Sequence, residues 1–289
     1  MVFLRRGRLL ITSLLIKRVK YPNMETRHTK VIDTFIKKYL GDEEVLAILV
    51  TGSFARGIDD KDSDLDLQVV TSSQSRHRKR GNVIIDGVLV EYCINPYHQI
   101  RKYFEIDAKH NNPMMSIALL EGKIIFEKYK SASRLKKYAK ASLEMGYAML
   151  NKDRVSFYKY VLADTLNKMN SLYRKERDDF SFLFHVNLRL IYETYATFLR
   201  LNLLKDPMLK DYFEGNTRFG HIINDFPDKR FASMFLSAMK SNAPREQIVK
   251  YRTLTNHVLQ KMGGLTLNGW SLRIPIDYSN AMDKRTRVF

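Results

Sequence analysis

Hydrophobic positions change their spacing along this chain, and the changes divide it. Val31, Ile32, Phe35, Ile36 and Leu40 recur at helical intervals, and Gly41 follows as a natural helix stop. Val45–Val50 is then a continuous apolar run ending at Thr51-Gly52, the pattern of a buried strand. Asp64–Val70 predicts a second strand. Val83–Ile85 and Val88–Ile94 flank Asp86-Gly87, a pair suited to a two-residue primed turn, so they predict a hairpin. Asn95-Pro96 closes that hairpin, Tyr97–Ala108 returns to helical spacing, and Gly122–Phe126 predicts a short last strand.

Beyond about Ser131 the character changes. Segments 133–150, 154–176, 180–204, 228–241 and 244–262 are long, poor in breakers and helical in period, with Asp206-Pro207 and Phe226-Pro227 as punctuation. These patterns predict an α+β architecture: a mixed-sheet domain over 24–130 and an α-helical bundle over 131–262. The stretch 263–289 reads as a polar tail with a basic end. Residues 1–23 hold six basic side chains and no acid. Their short apolar run lacks a small-residue cleavage site, and Met24 opens a conventional helical start, so 1–23 reads as an upstream extension with little structural role.

Composition narrows the class. A chain of 289 residues with 45% hydrophobic and 28% charged side chains is long enough to bury two cores and is not a disordered polymer. One cysteine excludes a disulfide framework and a Cys-rich metal site, and a reducing cytoplasm suits it. No apolar run reaches the roughly 18 residues that a membrane span requires. The net charge of +18 concentrates polyanions, whether nucleic acid, nucleoside triphosphate or an anionic surface; a lysine-rich soluble protein carries the same number.

Chemistry concentrates in Leu49–Val70, LVTGSFARGIDDKDSDLDLQVV. A short helix is expected to start at Gly52-Ser53, and ten residues separate Ser53 from Asp64. In a strand, residues i and i+2 face the same way, so Asp64 and Asp66 project side by side while Leu65 and Leu67 enter the core. Two adjacent carboxylates repel, and a hard divalent cation such as Mg²⁺ between them relieves the repulsion. Gly52 would let a phosphate approach the backbone. Ser53 would offer its hydroxyl and amide at a helix N-terminus, and Arg56, a turn later, its planar fork. The Asp86-Gly87 turn sets the hairpin register and pairs Asn82 with Glu91, a carboxylate inside an apolar strand where it is costly without a partner. If that strand neighbours Asp64–Val70, Glu91 faces both aspartates and completes a metal site or takes a proton from an incoming hydroxyl. The alternative is that these acids are helix caps and solvated strand edges.

Gly52, Ser53, Asp64, Asp66 and Glu91 together resemble the signature of the nucleotidyltransferase superfamily that includes DNA polymerase beta: an apolar residue, Gly, Gly or Ser, about ten residues, Asp-apolar-Asp, and a third carboxylate on a later strand. Gly-Ser-x-x-Arg followed by a helical domain is most similar in layout to the antibiotic (aminoglycoside and lincosamide) nucleotidyltransferases and the minimal nucleotidyltransferases. The resemblance implies Mg²⁺-dependent transfer of a nucleoside monophosphate, usually from ATP, to a hydroxyl, with release of pyrophosphate. Asp64, Asp66 and Glu91 would be catalytic and metal-binding, and Gly52, Ser53 and Arg56 would hold the triphosphate. A small-molecule acceptor is the first expectation, a protein or tRNA acceptor the second. A nucleotide- or RNA-binding regulator with a vestigial site is the reading from another class. Glutamate as the third acid departs from the aspartate usual in polymerases and leaves metal ligand and general base both open for Glu91.

Weaker signals remain. Arg76-His77-Arg78-Lys79-Arg80 reads as a solvated loop, or as a basic guide for triphosphate or RNA. Lys159, Lys168 and Arg174 read as solvated helix positions. Tyr and Phe, sixteen each, read as core packing, and so does Cys93. Arg252 and His257 resemble the loose Arg-x4-His motif of the HEPN ribonucleases.

Overall fold

The computed structural model describes residues 26–273 apart from 62, 146 and 216–224; the expectations for 1–23 and for the end of the tail lie outside the described residues. The chain forms two compact units. Among the described residues, one runs to Tyr147 and takes in Asn202–Leu204; the other comprises Ala148–Leu201, Lys205–Gly215 and residues 225–273.

The first unit is a five-stranded mixed sheet with helices on both faces. In chain order it contains α1 (Thr26–Lys37), β1 (Val45–Thr51), α2 (Gly52–Arg56), β2 (Leu65–Thr71), β3 (Lys79–Ile85), β4 (Val88–Pro96), α3 (Tyr97–Lys109), α4 (Met114–Glu121), β5 (Lys123–Glu127) and α5 (Ser131–Glu144). The sheet order is β3-β4-β2-β1-β5. β2 runs antiparallel to β1 and parallel to β4. Val31, Ile32, Phe35 and Ile36 of α1 pack on one face against Ile48, Val50, Leu65, Leu67, Val69 and Val90. On the other, Ala47, Leu49 and Val70 meet Ile100 and Phe104 of α3, Leu119 of α4, and Ala132, Leu135 and Ala139 of α5. Central strands buried on both sides explain why β1 reads as an unbroken apolar run.

The boundary expected near 130 falls instead after Tyr147. The segment expected to open the helical bundle is α5, which ends at Glu144, and its apolar stripe is part of the sheet's own core. Helix α4 was absent from the sequence reading. Its segment MMSIALLE is apolar almost all round, so it carries no amphipathic period.

The second unit is helical: α6 (Lys152–Arg174), α7 (Phe180–Phe198), α8 (Asp206–Phe213), α9 (Lys229–Met239) and α10 (Pro244–Lys261). Its core is aromatic. Phe213 lies 4.9 Å from Phe235 and 5.2 Å from Phe226, and Phe231 lies 4.9 Å from Tyr195, between ring centroids. The aromatic residues thus act as packing, as their spacing predicts. Part of the tail is ordered: Trp270 stacks on Tyr160 at 4.1 Å, and its Nε1 donates to Ser156 Oγ.

Asp228 caps α9 by accepting from the Phe231 N–H at 2.9 Å, and its other oxygen accepts from Tyr195 Oη at 2.7 Å and lies 2.8 Å from His257 Nε2. Burial alone would raise this carboxyl, but the hydrogen bonds from Phe231, His257 and Tyr195 outweigh it and carry it down to about 2. Because the folded value lies below the unfolded one, the stabilisation is present above about pH 4 and is lost as pH falls through about 2. Asp228→Asn should therefore cost roughly 2 kcal/mol at pH 7 and almost nothing near pH 2, measurable by urea denaturation at the two pH values.

Candidate active site

The ladder registers place four polar residues in one row across the sheet. Asn82 pairs with Glu91, Glu91 with Asp66, and Asp66 with Thr51. Directly paired residues share a face, so the parallel β2–β4 ladder sets the Asp66 and Glu91 carboxylates beside each other. Asp64 immediately precedes β2 and is half-buried, as are Asp66 and Glu91. One carboxylate oxygen from each of the three lies within 4.8 Å of the others. The condition on which the three acids depended, adjacency of the strands holding Asp66 and Glu91, is met. The hairpin that carries Glu91 has the expected turn, with φ of 49° at Asp86 and 72° at Gly87.

Gly52 is fitted to this trio. Its φ of +69° is a left-handed conformation, and a Cβ built on it would sit 2.1 Å from Asp66 Oδ2. The carboxylate occupies the space a side chain would fill. Three carboxylates supply hard oxygen donors only, and the converging oxygens fit a small divalent cation such as Mg²⁺ better than a softer metal.

Ser53 follows at the start of α2. Helix α2 has only five residues, so its dipole is small and any anion would be held chiefly by individual N–H groups. Arg56 is turned back on the fold: its Nε donates to the Gly52 carbonyl at 3.3 Å and lies 3.8 Å from Glu121 Oε2 on α4. A phosphate reaching Arg56 has to share it with Glu121.

A cation from the basic run, expected in a solvated loop, stands at the trio. Lys79 and Arg80 are the first residues of β3, not part of a solvated loop. Arg80 pairs in register with Cys93, diagonal to Glu91 on the same face, and its Nη2 donates to Glu91 Oε2 at 3.1 Å. The hydrogen bond it donates to Glu91 raises the Arg80 guanidinium above its ordinary value. The signal was available, because the register that pairs Asn82 with Glu91 also sets Arg80 two positions along. The rest of the basic run lies elsewhere. Arg76, His77 and Arg78 line a cavity of about 580 Å³ with Pro96 and His98, beyond the other end of β2.

Arg252 and His257 meet different partners. Arg252 donates to Asn170 of α6 at 2.8 Å, whereas His257 meets Asp228. Five residues apart on a helix, they point about 140° from each other. Cys93 is half-buried on β4, and burial pushes its thiol up.

Comparison with known proteins bears on this geometry. Residues 30–142 match the family model of the nucleotidyltransferase domain, a span that contains the sheet, Gly52, the three acids and Arg80. Over this stretch the chain is similar to nucleotidyltransferase domains. Twelve solved chains are similar in structure. They include a nucleotidyltransferase-like protein from Exiguobacterium sibiricum, 14% identical over 80% of this chain and 74% of that one, with a TM-score of 0.44. They also include the spectinomycin adenyltransferase AAD(9) from Enterococcus faecialis, solved with ATP and spectinomycin, 13% identical over 80% of this chain and 98% of that one, with a TM-score of 0.28. No curated protein matches the chain. Among the described residues, no helix is long and apolar enough to cross a membrane.

Proposed function

We propose that the nucleotidyltransferase domain moves AMP from ATP to a hydroxyl of a small-molecule acceptor such as an antibiotic, with Mg²⁺ as cofactor and pyrophosphate as the second product. The observation that carries the reading is the convergence of Asp64, Asp66 and Glu91 oxygens within 4.8 Å beside Gly52. Asp64 and Asp66 would hold Mg²⁺, and Glu91 would complete the donor set or accept the proton of the attacking hydroxyl. When bound, the ion supplies charge stabilisation at the phosphate under attack. The acceptor oxygen forms a bond to the α-phosphorus, the bond to the bridging oxygen of the β-phosphate breaks, the hydroxyl proton passes to Glu91 where it acts as base or to solvent where it holds the ion, and pyrophosphate leaves. Gly52 keeps side-chain bulk away from the Asp66 carboxylate, and the Ser53 hydroxyl and the Arg56 guanidinium would orient the triphosphate. Most of the rate would come from this positioning and from fixed charge. A cytoplasmic setting, where ATP and reduced thiols are abundant, belongs to the same reading.

The basic cavity lined by Arg76, His77 and Arg78 supports a second acceptor class, a tRNA. One experiment separates the readings. The full chain is incubated with each nucleoside triphosphate, Mg²⁺, and a panel of aminoglycosides, lincosamides and tRNA, and pyrophosphate is measured. Release that depends on one small-molecule acceptor is expected. Release with tRNA alone selects the second class, and nucleotide binding without release under any acceptor defeats the transferase reading in favour of a regulator.

A further inference from the structure

We propose that Arg80 is the resident counter-cation of the carboxylate trio and sets, by competition, how tightly the trio takes a divalent ion. The inference rests on the trio's reading as a metal site, and it concerns a residue outside the superfamily signature quoted above.

Arg80 stands near the start of the edge strand β3, and its guanidinium reaches diagonally to Glu91 with Nη2 3.1 Å from Oε2. Glu91 in turn presents an oxygen within 4.8 Å of one from Asp64 and one from Asp66. One positive charge therefore lies against one flank of three negative ones. It offsets their mutual repulsion and engages an oxygen that a metal ion would use. A divalent ion arriving at the trio meets both effects, since it is repelled by the guanidinium and must share Glu91 with it.

The pair is built to open. The Arg80 side chain is 75% exposed and that of Glu91 only 28%, so the arginine can swing into solvent while the glutamate stays on the sheet. Exposed ion pairs are weak, so little opposes that release. While the guanidinium stays on Glu91, an arriving ion meets its repulsion as well. A unit charge and a double charge about 6 Å apart in a water-like dielectric change affinity by roughly threefold to tenfold. Arg80 thus lowers the affinity of the trio without blocking it, and it supplies positive charge to the acids when no ion is held.

The test is Mn²⁺ binding to the full chain without nucleotide, at low ionic strength, followed by the loss of the free-ion electron paramagnetic resonance signal. Wild type, Arg80→Ala, Arg80→Lys and Glu91→Gln are compared, with circular dichroism to confirm folding. Arg80→Ala should bind Mn²⁺ roughly threefold to tenfold more tightly, Arg80→Lys should stay near wild type, and high salt should narrow the difference. Glu91→Gln should bind more weakly. Unchanged or weaker binding by Arg80→Ala, with wild type still binding, overturns the role of Arg80 alone. Absence of Mn²⁺ binding in all four proteins overturns the metal reading of the trio together with it.

Discussion

Replacing Asp66 with asparagine is expected to reduce nucleotidyl transfer by about a thousandfold or more while leaving the fold intact. Asn is isosteric with Asp, and Asp66 is half-buried on a strand whose stability comes from Leu65, Leu67 and Val69 on the opposite face. What is lost is a charge whose oxygen lies within 4.8 Å of those of Asp64 and Glu91. Each like-charged pair at that distance costs about 1 kcal/mol in a water-like dielectric. Without divalent ions, Asp66→Asn should therefore be at least as stable as wild type. Wild type should gain melting temperature on addition of Mg²⁺, because a ligand that binds only the folded state stabilises it, and the variant should gain little. Thermal unfolding with and without Mg²⁺, alongside pyrophosphate release, checks both halves. Full activity, or an undiminished Mg²⁺ response, would remove Asp66 from the metal site.

Gly52→Ala should be nearly as damaging by a different route. The substitution forces alanine into φ near +69°, which costs roughly 1–2 kcal/mol. The new methyl group would also stand 2.1 Å from Asp66 Oδ2 and 3.0 Å from its Cγ. Two relaxations are open: the carboxylate rotates away from Asp64 and Glu91, or the turn between β1 and α2 shifts and carries Ser53 with it. Either removes a component of the site. Transfer should fall about a hundredfold or more, with a stability loss of about 2 kcal/mol seen in urea denaturation. A variant with near-normal turnover would show that the close approach of Gly52 to Asp66 has no catalytic consequence.

Legibility in the sequence followed the range of the interaction. The Asp86-Gly87 turn is a local signal, and it gave the β3–β4 register, including Asn82 opposite Glu91, without reference to the rest of the chain. The alternation of Asp64, Leu65, Asp66 and Leu67 separated core positions from site positions for the same reason. The parallel neighbourhood of β2 and β4 is not written locally, so the meeting of Glu91 with Asp66 could be posed only as a condition. Helix α8 was missed because Asp206-Pro207 looked like a break, whereas Pro207 occupies the first turn of a helix, where its missing N–H is not needed. Arg80 was missed by treating a basic run as one object. Its members separate in the fold, Arg76, His77 and Arg78 to the cavity and Arg80 to Glu91.

The parallel β2–β4 seam also bears on the order in which the protein assembles. Strands β3 and β4 are joined by a two-residue turn and can close as a hairpin within about 1–10 microseconds. Pairing of β4 with β2 joins segments remote in sequence and has to wait for chain closure across the intervening hairpin. An undocked hairpin would hold Glu91 on the same strand pair as Arg80 and away from the aspartates. The acids that oppose one another in the finished domain are thus brought face to face only when the hairpin docks, and Glu91 comes to that encounter on a hairpin that also carries Arg80.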